Sequence, residues 1–181
     1  LIIGFILFFF LLLFLFFFLP IPAFAEEVSV STTIDYKLPY PGILPGHPLF
    51  ALKEARETFM NWFIASPMDK TAYDLEQAEK YVQASYLLFT QDKEKTDRVT
   101  VSLFKAESYL GNTLKHARDT KQQGGDAHEY LERCLRLLNK QQEFLETMES
   151  ETLGEEQSFF TARRDQVQLL QKEGEEIRQL Q

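Results

Sequence analysis

An all-α fold is predicted for this chain: an up-and-down bundle of four to five antiparallel helices behind an N-terminal signal or transmembrane helix. Three observations predict it. From residue 44 onward, apolar residues recur at three- and four-residue steps through five successive segments, the spacing of a one-sided helix. Turn and capping residues separate those segments by short connections, which favour antiparallel neighbours. Strand signals are close to absent after residue 36.

Residues 1–19 carry no charged or polar side chain, a length that about 20 residues need to cross a hydrocarbon core. Pro20 and Pro22 end that run, and Ala23-Phe24-Ala25 supplies the small-x-small pattern of a signal-peptidase site. Cleavage after Ala25 would make Glu26 the new N-terminus; retention would make the run an anchor. No charge precedes Glu26 and the chain opens on Leu, so the basic n-region lies ahead of Leu1 or the start codon is non-standard. The expected organisation is a signal peptide or membrane anchor over 1–25, an extended linker over 26–43 and a helical domain over 44–181. That address is extracytoplasmic: secreted, on the periplasmic side or membrane-anchored.

In the segment Leu44-Pro45-Gly46-His47-Pro48, Pro45 presets φ and Gly46 permits a positive φ, as a type II turn requires. A first helix is expected from Pro48 to about Ala65, burying Leu49, Leu52, Ala55, Phe59 and Phe63. Ser66-Pro67-Met68-Asp69 caps a second, about 67–90, with Met68, Ala72, Leu75, Ala78, Val82, Tyr86 and Phe89 on its stripe. A third, about 97–122, uses Leu103, Ala106, Leu110, Leu114 and Ala117. Gly124-Gly125 stops it, and Asp126 caps a fourth helix that buries Ala127, Leu131, Cys134, Leu138 and Leu145 up to about Glu151. The fifth segment, about 155–180, is rich in Gln and Glu and is the weakest candidate for the core, with Phe159, Phe160, Val167, Leu170, Ile177 and Leu180.

Composition narrows function by exclusion. The 19 basic and 27 acidic residues all follow the leader and give a net charge of −8, the wrong sign for a phosphate-binding surface. The single cysteine, Cys134, excludes an intramolecular disulfide and falls on an apolar stripe. His128-Glu129-Tyr130-Leu131-Glu132 begins like a zinc-protease signature but has Glu132 where the second His belongs. His116 sits near a helix end, where it complements the macrodipole, and His47 has a turn or capping role. No G-x-S-x-G or phosphate loop is present, and Glu54, Glu57, Asp74, Glu76, Glu79, Glu146 and Glu149 read as solvated faces beside Lys and Arg. No catalytic, cofactor-binding or metal-binding residue is assigned. Aromatics in the first two helices exceed what one buried stripe needs, and Trp62 lies about 80° off the Phe59–Phe63 stripe. Trp62 therefore reads as core packing or as a contact surface for a protein partner or a membrane interface.

The run Leu44, Pro45, Gly46, His47, Pro48, Leu49, Phe50, Ala51, Leu52, Lys53 resembles the opening motif L-P-G-x-P-L-[YF]-x-L-K of a bacterial helical domain family of unknown function. Arg56-Glu57 matches the charged pair that follows, and Ala72-Tyr73-Asp74-Leu75-Glu76-Gln77-Ala78-Glu79-Lys80 is similar to its second-helix pattern. The likeness covers about residues 40–90. It implies an extracytoplasmic domain behind a signal peptide or transmembrane helix, akin to the outward parts of anti-sigma-like regulators, without known catalytic residues. The expected function is a non-enzymatic module of the bacterial cell envelope. It acts by protein–protein contact through residues 44–63 with Trp62, and through the C-terminal helix as a coiled-coil element. Its partner is an envelope protein, or also the membrane if the leader is retained, with no nucleic acid and no cofactor. The alternatives are a metal- or ligand-binding bundle using His47, His116 and His128, and a regulatory ectodomain held at the membrane.

Overall fold

The computed structural model of the chain describes residues 36–91 and 96–180. The expected leader, with Ala23, Ala25 and Glu26, and the start of the linker lie outside the described residues. Five helices and no strand occur among the described residues: α1 (Phe50–Phe63), α2 (Pro67–Gln91), α3 (Thr96–Gln122), α4 (His128–Ser150) and α5 (Glu155–Gln179).

Local chemistry sets the boundaries. His47 N–H donates to the Leu44 carbonyl at 3.2 Å across Pro45-Gly46, and Gly46 sits at φ +91°, the turn its sequence predicts. A side chain at Gly46 would also run into the Arg98 guanidinium, so the turn is pressed against the start of α3. Pro48 remains in the turn and α1 starts two residues later than expected, at Phe50. At the end of α3, Gly124 takes φ +77° and Gly125 N–H returns to the Thr120 carbonyl at 2.9 Å, closing the helix. Asp126 Oδ1 then accepts from His128 N–H at 2.8 Å and caps α4.

Side-chain pairs fix the packing. Asp74 faces His116 and Tyr81 stacks on Tyr109, so α2 and α3 are an antiparallel hairpin. Glu149 meets Arg164, Asn139 meets Gln171 and Glu132 meets Arg178, a second antiparallel hairpin of α4 and α5. Between the hairpins the neighbours run parallel. Glu79 and Tyr86 of α2 meet Arg133 and Phe144 of α4, and Glu107 and Arg118 of α3 meet Arg163 and Glu173 of α5. Direction alternates along the chain, yet the order around the bundle is α2, α3, α5, α4.

The core lies among α2 to α5. Leu103, Ala106, Leu110, Leu114 and Ala117 are buried as their spacing predicts, and so are Ala127, Leu131, Cys134, Leu138 and Leu145. On α2, Leu75, Ala78, Val82 and Phe89 are buried, but Met68 is exposed. The fifth helix is a full member: Phe160, Val167, Leu170 and Ile177 are buried, so its apolar stripe is already covered inside the bundle rather than offered as a coiled-coil seam. No described helix is long and apolar enough to cross a membrane.

The first helix corrects the sequence reading. Leu49, Leu52, Ala55, Phe59 and Phe63, expected to face inward, are all exposed. The side turned to the bundle is instead Phe50, Lys53, Glu54, Glu57 and Asn61, which repeats at the same helical spacing. Backbone packing of α1 on the other helices is slight, and long side chains make its main links.

Candidate functional site

The groove beneath α1 explains its inverted seating. Tyr73 and Tyr81 on α2 and Tyr109 on α3 bring phenol groups there, and a buried hydroxyl needs a partner. Glu57 supplies two. Its Oε2 accepts from the Tyr81 hydroxyl at 2.8 Å, and its backbone carbonyl accepts from the Tyr73 hydroxyl at 3.0 Å. Lys53, one turn earlier, places Nζ 3.6 Å from Glu57 Oε1 and 4.5 Å from the centre of the Tyr81 ring. The same ammonium donates to the carbonyls of Pro41 and Ile43 at 3.3 and 3.2 Å, tying the preceding arm to the helix. Glu54 completes the inner side with an ion pair to Lys105 of α3 at 2.7 Å.

Electrostatics follow from that burial. The Lys53 ammonium is shifted below its usual range by desolvation, which Glu57 partly offsets. Desolvation and the Glu57 carboxylate push the Tyr73 phenol up to about 12 and raise Tyr81 further. These phenols stay protonated donors at neutral pH, so they anchor the helix and supply no general base.

Because the polar side of α1 is used inward, its apolar side faces out. Trp62 is 83% exposed and Phe63 65%, with Phe59 and Met60 beside them. Phe63 touches both other rings, with centroids 4.7 Å from Phe59 and 5.9 Å from Trp62. Trp62, left between core and contact surface by the sequence, is therefore on the surface and heads an aromatic cluster.

The remaining motif residues have structural work. Pro45 is buried, while Leu44 and Phe50 pack against the core edge. Pro48, Leu49 and Leu52 are exposed, and His47 Nδ1 accepts from Leu49 N–H at 3.1 Å within the turn ahead of α1, the turn role of the two expected for it. The three histidines are not brought together: His116 faces Asp74 and Asp119, and His128 is exposed at the start of α4. No group of three or more His, Cys, Asp or Glu side chains able to hold a metal occurs among the described residues.

Three of the carboxylates expected to be solvated are buried: Glu57, Asp74 and Glu79. Arg133 grips both oxygens of Glu79 at 2.6 Å, and the Tyr36 hydroxyl donates to the same carboxylate, pinning the arm onto the seam of α2 and α4. That hydrogen bond to Glu79 holds the Arg133 guanidinium above its ordinary range. Asp74 is fully buried and neither oxygen has a hydrogen-bond partner; His116 Nε2 stands 3.6 Å away. Burial raises its carboxyl to about 6, against a smaller pull from Lys70. Glu107, raised to about 7 by burial, pairs with Arg163 at 2.9 Å, whose guanidinium lies over Phe104 and Phe159.

A cavity of about 340 Å³ opens where the end of α2 and the start of α3 meet the α4–α5 connection, lined by Phe89, Thr96, Val99, Glu151, Thr152, Leu153, Glu156 and Phe160. No His, Cys or Lys occurs among its described lining residues, and Thr96 Oγ1 is bonded to Glu156 Oε1 at 2.6 Å. Among the described residues no nucleophile with a base behind it is assembled there. Comparison with protein-family models, curated proteins and solved structures returns no match.

Proposed function

We propose that this chain is a non-enzymatic, extracytoplasmic helical module of the bacterial cell envelope that works by contact, through the outward side of α1. One observation carries the reading: a 14-residue helix turns Lys53 and Glu57 inward and leaves Phe59, Met60, Trp62 and Phe63 in solvent. Burying a large apolar side chain is worth roughly 1.5–3 kcal/mol, so exposing four in one cluster forgoes several kcal/mol of folding stability. Part of that sum is recovered as binding energy when another surface covers them. The apolar run over 1–19, the Ala23-Phe24-Ala25 tripeptide and the likeness of residues 44–53 to an envelope domain family support the address.

Photocrosslinking in living cells tests the contact. A benzophenone side chain at position 62 should give adducts, whereas the same group at exposed Glu129 on α4 should not. Equal yields from the two positions would remove the basis for a dedicated contact face.

A further inference from the structure

We propose that the surface covering α1 is a lipid bilayer, with the helix lying in the headgroup–acyl boundary. This rests on the contact-module reading and names the occupant. The choice of lipid over protein comes from the arrangement of charge. The chain has a net charge of −8, yet both carboxylates of α1 are turned away from the outward side, Glu54 to Lys105 and Glu57 to Lys53 and Tyr81. Arg56 is left as the exposed charged side chain of the helix. An acid-free face with one guanidinium, and with Trp62 and Phe63 at its end, has the composition of an interfacial helix. It can approach phosphate headgroups without the repulsion that most of this surface would meet.

Length and tether agree. Fourteen residues make a helix of about 21 Å, too short to cross the hydrocarbon core but suited to lying along its boundary. Because α1 meets the bundle through the long side chains of Lys53, Glu54 and Glu57, its outward side with Phe59, Met60, Trp62 and Phe63 is left exposed. The sequence also carries a bilayer-length apolar run over 1–19, and the 16 residues before Tyr36 reach at most about 55 Å when extended. A chain held by that run keeps α1 within range of the same bilayer, at high effective concentration.

Trp62 is the single tryptophan, so its fluorescence reports this face alone. The full chain is reconstituted into phosphatidylcholine vesicles at about 150 mM salt, where charges on the body are screened beyond about 8 Å. Lipids brominated near the headgroup end of the acyl chains should shift Trp62 emission to the blue and quench it by about half or more. The variant W62F/L153W, with its indole at the exposed α4–α5 turn, should stay unquenched although the same leader holds it at the vesicle. The variant F59A/F63A should lose at least about half of the Trp62 quenching while its circular dichroism matches wild type.

Quenching of wild type no greater than of W62F/L153W overturns the proposal. A blue shift that grows with protein concentration before lipid is added also overturns it, in favour of a second copy of the chain. Crosslinks from position 62 to protein alone, with unquenched Trp62, overturn the lipid occupant and leave the contact module standing.

Discussion

Asp74 should make the protein less stable at neutral pH than in mild acid, and Asp74→Asn should remove that penalty. The carboxyl is fully buried between α2 and α3, and neither oxygen is hydrogen-bonded. The charged groups around it do not compensate. Lys70 on its own helix pulls its pKa down only in part, and the His116 imidazole is itself shifted below its ordinary value by burial, with Lys70 and Lys115 adding to that shift. At neutral pH His116 is an uncharged neighbour 3.6 Å away. The Asp74 carboxyl moves from 3.8 to about 6 on folding. A folded pKa above the unfolded one means that the proton stabilises the native state; this stabilisation is complete below pH 4 and is lost as pH rises through 6. A shift of about two units corresponds to roughly 3 kcal/mol, an upper bound for the penalty at pH 8.

Urea unfolding of wild type and D74N, followed by circular dichroism from pH 4 to pH 8, reads that difference directly. D74N should be more stable by up to about 3 kcal/mol at pH 8, with the gain vanishing near pH 4. His116 contributes in the opposite sense, losing stability as pH falls below its unfolded value. Because it lies 3.6 Å from Asp74 the two titrations are coupled, so the same comparison is repeated in a His116→Gln background, where the Asp74 share stands alone. A D74N protein less stable than wild type at pH 8, or a gap independent of pH, would refute the argument; Asp74 would then be ionised and paired with a protonated His116.

Three further outcomes follow from the same geometry. Trp62→Ala should change unfolding stability by less than about 0.5 kcal/mol in urea, because the ring is 83% exposed; a larger loss would mean that the indole is covered in solution. Glu57→Ala removes the acceptor of the buried Tyr81 hydroxyl and the carboxylate beside Lys53, whose ammonium keeps the Pro41 and Ile43 carbonyls, so it should cost about 1–3 kcal/mol and speed protease cleavage between Pro41 and Phe63. Cys134, fully buried with its thiol raised to about 12 by desolvation, should resist thiol reagents in the native protein and react only at the rate of unfolding.

Much of the architecture was legible because helical spacing, Gly124-Gly125, Asp126 and the Pro45-Gly46 turn are local signals that need no knowledge of neighbours. The facing of α1 was not. Phe59 and Phe63 repeat at the same interval as Lys53 and Glu57, so periodicity identifies two opposite stripes and is silent about which one has a partner. What settles the matter is a groove of tyrosine hydroxyls built by residues 73, 81 and 109, far from α1 in sequence. The buried carboxylates were missed for a related reason. Asp74 and Glu79 read as solvent-facing on an isolated amphipathic helix, but α2 is covered by α3, α4, α1 and the arm together, so little of it remains outside.

The sequence by itself determined that five helices form and, to within about two residues, where they start and stop, because hydrogen-bonded turns and caps are decided within a few residues. It also determined which stripes of α3 and α4 enter a core, since each of those helices has one apolar side, whereas the membership of α5 was decided by its packing on α4 and α3. Only the tertiary structure decided that like-directed helices neighbour one another between the hairpins, and that α1 seats by its charges. Those outcomes depend on which buried donors must be satisfied by groups elsewhere in the chain, a constraint that exists only once the helices have met.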